Sequence, residues 1–251
     1  MEKKLQDKVI VITGTTSGIG AGMAKLFAKH GARVIGSGRR EEKGQAVVEE
    51  IRREGGEAHF VRTDVLEQDQ LKHLIDTAVE LYGRIDILVN NAAYEPTKVF
   101  AENTYEDYRK VIDTNLGSYI MASIYALEHM RKAGSGKILN INSVTAEQVV
   151  PGVGMYAIAK AGITNLTKII ALEYAKEGIR CNEINPGLIL AGAFEDPKVV
   201  EWAHDAIVNG TPVGRLGTIE EIASAALYLL SDEADFVNGT SFYIDGGRRL
   251  I

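Results

Sequence analysis

Residues 9–20 read VIVITGTTSGIG, and this stretch decides the fold. Val9, Ile10, Val11 and Ile12 form a β-branched run with no polar break, as in a strand covered on both faces. The run passes straight into Gly14, Gly18 and Gly20, after which 19–30 takes a helical apolar period. A strand, a glycine turn and a helix in that order make the first unit of an open α/β sheet. Working outward, the alternation continues. Strands are expected over 33–37, 58–62, 87–90, 137–142, 180–185 and 241–244. Helices are expected over 42–54, 68–82, 106–132, 155–176 and 219–230.

Strand–helix alternation throughout implies parallel pairing through right-handed crossovers. The chain is therefore expected to form one doubly wound Rossmann-type α/β domain, 1–251, with a mostly parallel seven-stranded sheet. The rhythm breaks between 186 and 218, where only a short helix over 197–208 is expected. A long interval after a strand's C-terminal end lies where open α/β sheets bind ligands. Residues 188–212 are accordingly expected to form a mobile substrate loop.

Composition narrows the function classes. A net charge of −6 gives no electrostatic reason to expect nucleic acid or an anionic membrane as partner. Cys181 is the only cysteine, so no internal disulfide forms, which suits a reducing cytoplasm. The apolar run 9–12 is too short for a signal-peptide core, and no stretch approaches a membrane span. His30, His59, His73, His129 and His204 show no metal-ligand spacing; they are expected at the surface, and no metal is expected.

The glycine turn has a physical use. Positive φ, close backbone approach and tight helix packing all favour glycine, and the helix N-terminus presents free N–H groups to a pyrophosphate. The spacing here is G-x-x-x-G-x-G, and its context reads as a dinucleotide site. Further on, Ser143 closes a strand, and Tyr156 and Lys160 stand four apart on one helical face. A tyrosine is a weak acid–base group at its ordinary pKa, and a nearby ammonium is expected to lower that pKa.

These motifs together resemble the short-chain dehydrogenase/reductase family, in its branch of about 250 residues. The resemblance rests on TGTTSGIG at 13–20, Asp64, NNAA at 90–93, Asn115, Ser143, Tyr156 with Lys160, Pro186-Gly187 and Asp245-Gly246-Gly247. It implies hydride transfer between a nicotinamide cofactor and a carbonyl/alcohol pair. Tyr156 would be the general acid/base and Ser143 would hold the reacting oxygen. Lys160 would bind the nicotinamide ribose and depress the Tyr156 pKa, and Asn115 would hold a relay water. The cofactor would lie against Gly14, Thr16, Ser17, Gly18, Ile19, Gly20, Asp64, Val65, Asn91, Ala92, Pro186, Gly187 and Ile189, besides Tyr156 and Lys160. The chain departs from the family pattern at Ala93, usually glycine, and at Ala191, often threonine.

Cofactor choice is expected to be NADP(H) over NAD(H). The ribose-reading position on strand two is Gly38, which has no carboxylate to repel a 2′-phosphate. Ser37, Arg39 and Arg40 flank it with a hydroxyl and two guanidinium groups. The neutral Thr15, Thr16 and Ser17 leave NAD(H) use open. Tyr94, Gln148, Val149, Val150, Leu188 and Trp202 are expected pocket walls. Apolar residues on two sides of the long helices, such as Ala122, Ile124, Ala126, Ala161, Ile163, Leu166 and Ile170, suggest a homotetramer. Two alternatives stand. A 3-oxoacyl thioester reductase would want basic residues for an acidic carrier, with Arg131, Lys132 and Arg215 as candidates. A catalytically silent dinucleotide sensor should lack part of the Ser/Tyr/Lys set. An enoyl reductase would space its tyrosine and lysine more widely than four.

Overall fold

In the computed structural model Val9–Ile12 forms strand β1, with all its residues buried. The structure describes residues 3–191, 197–202 and 204–251. After β1 come α1 (Gly18–Lys29), β2 (Arg33–Gly38), α2 (Glu41–Arg53), β3 (Glu57–Arg62), α3 (Gln68–Tyr82) and β4 (Ile87–Asn90). The second half holds α4 (Tyr105–Ile112), α5 (Ser118–Ala133), β5 (Gly136–Ile141), α6 (Gly154–Glu173) and β6 (Ile179–Pro186). Two short helices, α7 (Pro197–Trp202) and α8 (His204–Asn209), precede α9 (Ile219–Leu230) and β7 (Ser241–Ile244).

The strands form a single seven-stranded sheet in the order β3-β2-β1-β4-β5-β6-β7. Every pairing is parallel. Alternate side chains of β1 feed opposite faces, as a two-residue period requires. Ile10 and Ile12 join Met23 and Phe27 of α1 and Ile222 and Leu230 of α9. Val9 and Val11 join Leu71 and Leu74 of α3 and Ala122 and Ala126 of α5 on the other face. Each such buried aliphatic side chain contributes roughly 1.5–3 kcal/mol of transfer free energy. Between β1 and β4 the chain order reverses, opening a crevice at their C-terminal ends where open sheets take ligands. Among the described residues, no helix is long and apolar enough to cross a membrane.

The structure corrects four expectations. The helix expected over 106–132 is broken by a π-helical turn, Asp113–Gly117, between α4 and α5. The helix expected over 155–176 ends at Glu173, and a 3-10 turn, Ala175–Glu177, follows. His30 is buried at the C-terminal end of α1. Of the apolar residues expected to face a partner, Ala122, Ala126, Ile163 and Ile170 are buried within the chain. Ile124 and Ala161 of that set are exposed and Leu166 is half-buried, while Ile158, Ile169 and Leu172 on α6, which were not expected, are exposed as well. In the expected loop 188–212, residues 192–196 and 203 lie outside the described residues, as does the side chain of Trp202.

Candidate active site

The glycine turn shows what glycine does there. Gly14 has φ of +78°, and a Cβ on it would stand 3.0 Å from the Ala92 Cα. A Cβ on Gly20 would fall 2.1 Å from the Gly14 carbonyl oxygen, so the helix can sit this close to the turn only without a side chain. Asn91 ties the turn down from β4. Its Nδ2 donates to the carbonyl oxygens of Thr13 and Gly14, each at 2.9 Å. The backbone N–H groups of Asn91 and Ala92 both donate to Thr13 Oγ1. Ser17, at the N-cap of α1, makes no capping bond, and no acid lies in the first turn. The Ser17 hydroxyl instead accepts from Arg40 at 2.8 Å. An uncapped helix N-terminus facing a cleft fits an anion such as a pyrophosphate.

Two hollows sharing Asn91 and Ala93 make one continuous cleft along the switch point. The first is lined by Gly14, Thr16, Ser17, Gly38, Arg39, Arg40, Asp64, Val65 and Ala92. The second holds Ile19, Ser143, Tyr156, Lys160, Pro186, Gly187 and Ile189, which brings the expected catalytic residues beside expected cofactor residues. The chain thus brings together residues from the ends of β1, β2, β4, β5 and β6. Ala93 has no positive φ, so its methyl costs no backbone strain. Ala191 lines the second hollow.

The reactive cluster lies in the second hollow. Tyr156 and Ser143 line this hollow together, close enough for the serine hydroxyl to act on the phenol. The Ser143 Oγ also accepts from the backbone N–H and the hydroxyl of Thr145, at 3.2 and 2.9 Å. Lys160, one turn beyond Tyr156 on α6, is fully buried, and its Nζ donates to the Ile141 carbonyl at 2.8 Å. That nitrogen stands 5.3 Å from the Tyr156 ring centre and 5.1 Å from that of Tyr119. Burial pushes the Lys160 ammonium down to about 7, against the pull of Glu95 and Glu183. Burial raises the Tyr156 phenol above its ordinary value, Glu95 pushes the same way, and the Ser143 hydroxyl pulls it back. The expected depression of Tyr156 by Lys160 is therefore corrected. The phenol's own burial is the largest influence on it, and Lys160 is not among the charges acting on it.

Asn115 is buried in the π turn, which turns its side chain toward the loop after β4. Its Nδ2 donates to the carbonyls of Tyr94 (2.7 Å) and Val111 (2.9 Å), and its Oδ1 accepts from the Tyr94 N–H. Both amide hydrogens are thus spent, and the side chain straps that loop to the helix pair.

Other candidates fall elsewhere. Ser37 is fully buried and donates to the Ile12 carbonyl, because the pleat of β2 turns it into the sheet. Tyr94 lines the first hollow, under the Lys110 ammonium at 4.4 Å, and not the second. Gln148 donates to the carbonyls of Arg248 and Ile251, which fixes the C-terminal end of the chain. Val149 is 79% exposed and lines neither hollow, whereas Val150 and Leu188 line the second. Three contributors were not expected. Tyr119 donates to the same Ile141 carbonyl as Lys160, Glu95 lines the second hollow, and Glu183 is buried in β6. None carries a local sequence signal; each is a lone residue whose position depends on the sheet's assembly. Among the described residues no cluster of His, Cys, Asp or Glu could hold a metal.

A cleft at the switch point, floored by a glycine turn and ending in a Ser/Tyr/Lys cluster, defines a nicotinamide-dependent oxidoreductase. A family model described as enoyl-(acyl carrier protein) reductase matches residues 14–249. The chain is 37% identical to a 3-oxoacyl-[acyl-carrier-protein] reductase of Chlamydia muridarum, over 98% of this chain and 99% of that protein. It is 36% identical to a cyclohexanol dehydrogenase of Acinetobacter, over 98% of this chain and 96% of that one. A solved 7α-hydroxysteroid dehydrogenase, complexed with NADH and a 7-oxo bile acid, superposes with a TM-score of 0.92 at 34% identity, covering 98% of this chain and 96% of its own. The chain belongs to the short-chain dehydrogenase/reductase family.

Proposed function

We propose that this protein transfers a hydride between NADP(H) and a carbonyl or secondary alcohol substrate. The observation that carries the reading is the convergence of Ser143, Tyr156 and buried Lys160 in one hollow, at the end of the cleft that begins at the glycine turn. The nicotinamide supplies the hydride chemistry when bound; the protein supplies positioning and proton transfer. Ser143 holds the substrate oxygen within reach of Tyr156. Tyr156 gives that oxygen its proton in reduction and takes it back in oxidation. A phenol kept protonated by burial suits the reductive step. Lys160 is pinned by the Ile141 carbonyl at the base of the cleft, where it would hold the cofactor's ribose hydroxyls. Asn115 keeps the loop after β4 against the cleft.

The 2′-phosphate is read by Arg39, with Arg40 beside it. Arg40 is already docked on Thr16 and Ser17, while the Arg39 side chain makes no hydrogen bond or ion pair among the described residues. The carrier-protein alternative lacks a free basic patch at its candidate residues. Arg131 pairs with Glu177, Lys132 with Glu128 and Arg215 with Glu221. The silent-sensor alternative is disfavoured because Ser143, Tyr156 and Lys160 converge in one hollow. A spacing of four between tyrosine and lysine sets aside an enoyl reduction. The buried, unpaired Cys181 suits a reducing cytoplasm.

A homotetramer is proposed from the outward apolar residues. Ile124, Ile158, Ile169 and Leu172 on α5 and α6 are all more than half exposed, and Phe236 and Phe242 mark a second apolar area by β7. Closed symmetry is the usual way to cover two such surfaces. Light scattering at micromolar concentration is expected to give four times the chain mass; a monomer mass would refute the assembly. The segment 188–212 is proposed to close over substrate, since Leu188, Ile189 and Ala191 at its start line the reactive hollow. Hydrogen exchange should show added protection over 188–212 when cofactor and substrate are both bound. Equal exchange in the free and ternary states would rule out closure.

A further inference from the structure

The reactive hollow contains a charge that the proton chemistry does not need. Glu95 lies on the loop after β4 and lines the hollow with Ser143, Tyr156, Lys160 and Leu188. Its carboxylate is open to the cleft and makes no hydrogen bond or ion pair among the described residues. It lies near enough for its charge to act on both Tyr156 and Lys160. Crowding by the cleft walls raises its own pKa, and only the Lys160 ammonium pulls it back. Arg248 lines the same hollow, but its guanidinium donates to the Gly210 carbonyl at 2.8 Å, and its charge is not among those acting on Tyr156 or Lys160. The open space of the hollow is therefore faced by an acceptor-only carboxylate, while its two cations are committed elsewhere, Arg248 to the Gly210 carbonyl and buried Lys160 to the Ile141 carbonyl.

Resting on the oxidoreductase reading above, we infer that Glu95 is a specificity-determining residue of this hollow. It accepts a hydrogen bond from a hydroxyl next to the reacting carbon of a neutral, polyol-like substrate. Binding displaces water from the carboxylate, and a substrate hydroxyl replaces that bond. An apolar neighbour leaves the carboxylate stripped of water without a partner, which is costly. An anionic neighbour adds like-charge repulsion, which acts against the wrong substrate more than it helps the right one. The substrate class is thus a hydroxyketone or vicinal diol, in preference to an oxo acid carrying its carboxylate close to the carbonyl.

Two matched pairs test this with the full chain and saturating NADPH. One is 2-hydroxycyclohexanone against cyclohexanone; the other is 3-oxobutanoate against its ethyl ester. In the wild type, kcat/KM is expected to favour the hydroxyketone and the ester, each by roughly 10- to 100-fold, the scale of one charged hydrogen bond or one close like-charge contact. Glu95→Gln keeps the shape of the side chain and breaks no internal bond. It should narrow both ratios by about 10-fold or more. Ratios unchanged in Glu95→Gln, with turnover still abolished by Tyr156→Phe, would overturn this inference and leave the reaction class standing. A wild type inert on all four compounds would overturn the reaction class and this inference together.

Discussion

Tyr156→Phe is expected to lower kcat by about 10²–10⁴-fold, the usual worth of a positioned general acid. The change removes one hydroxyl and nothing else. The ring keeps its place on α6, buried against the hollow, and the Lys160 contact with the ring and with Ile141 does not depend on that oxygen. Ser143 retains its bonds from Thr145. The variant should therefore fold, melt near the wild-type temperature and bind NADPH with similar affinity, while losing turnover. Direction matters as well. Because burial holds the phenol protonated, oxidation of an alcohol must first remove that proton, so the oxidative rate should climb with pH. Turnover of Tyr156→Phe close to that of the wild type on a good substrate would show that another group moves the proton.

Arg39→Ala is expected to weaken NADPH by roughly 10- to 150-fold and NADH much less. A charge-assisted hydrogen bond to a phosphate contributes roughly 1.5–3 kcal/mol, and a factor of ten corresponds to about 1.4. The geometry singles out Arg39 over its neighbour. Arg40 already spends its guanidinium on the hydroxyls of Thr16 and Ser17, in part to shape the rim of the glycine turn. Arg39 is exposed at the same rim and uncommitted. Gly38 before it offers no carboxylate for ribose hydroxyls, and a Cβ there would stand 2.7 Å from the Thr16 Cγ2. Comparing kcat/KM for both cofactors in the two proteins decides the matter. A wild-type preference for NADH would show that Arg39 does not read a phosphate.

The parts of this site visible in the sequence are those held by local geometry. The run 9–12 and its glycines announce strand, turn and helix because each conformation constrains the residues that can adopt it. Tyr156 and Lys160 announce one face because a helix places residues four apart together. The parts that were hidden depend on assembly. The π turn at Asp113–Gly117 inserts one extra residue into an otherwise helical pattern, and the apolar period on each side looks the same with or without it. Ser37 sits in a strand buried on both faces, so alternation could not say which way it points. Glu183 reads as an interruption of β6. In the fold it accepts from Asn142, Thr164, Thr167, Asn185 and Ser241, partners brought together only by β5, α6 and β7. Glu95 is one acid in an irregular loop, and only the closed cleft shows what it faces.

On the proposed reaction, a hydride passes from a nicotinamide to the carbonyl carbon in the hollow of Tyr156. Its most direct test uses NADPH carrying deuterium at the transferable C4 position, with ethyl 3-oxobutanoate as substrate and mass spectrometry of the alcohol. One deuterium is expected on the carbinol carbon, in an alcohol formed with the wild type and nearly absent with Tyr156→Phe. An alcohol formed without that deuterium, or no alcohol at all from any ketone tried, would contradict it.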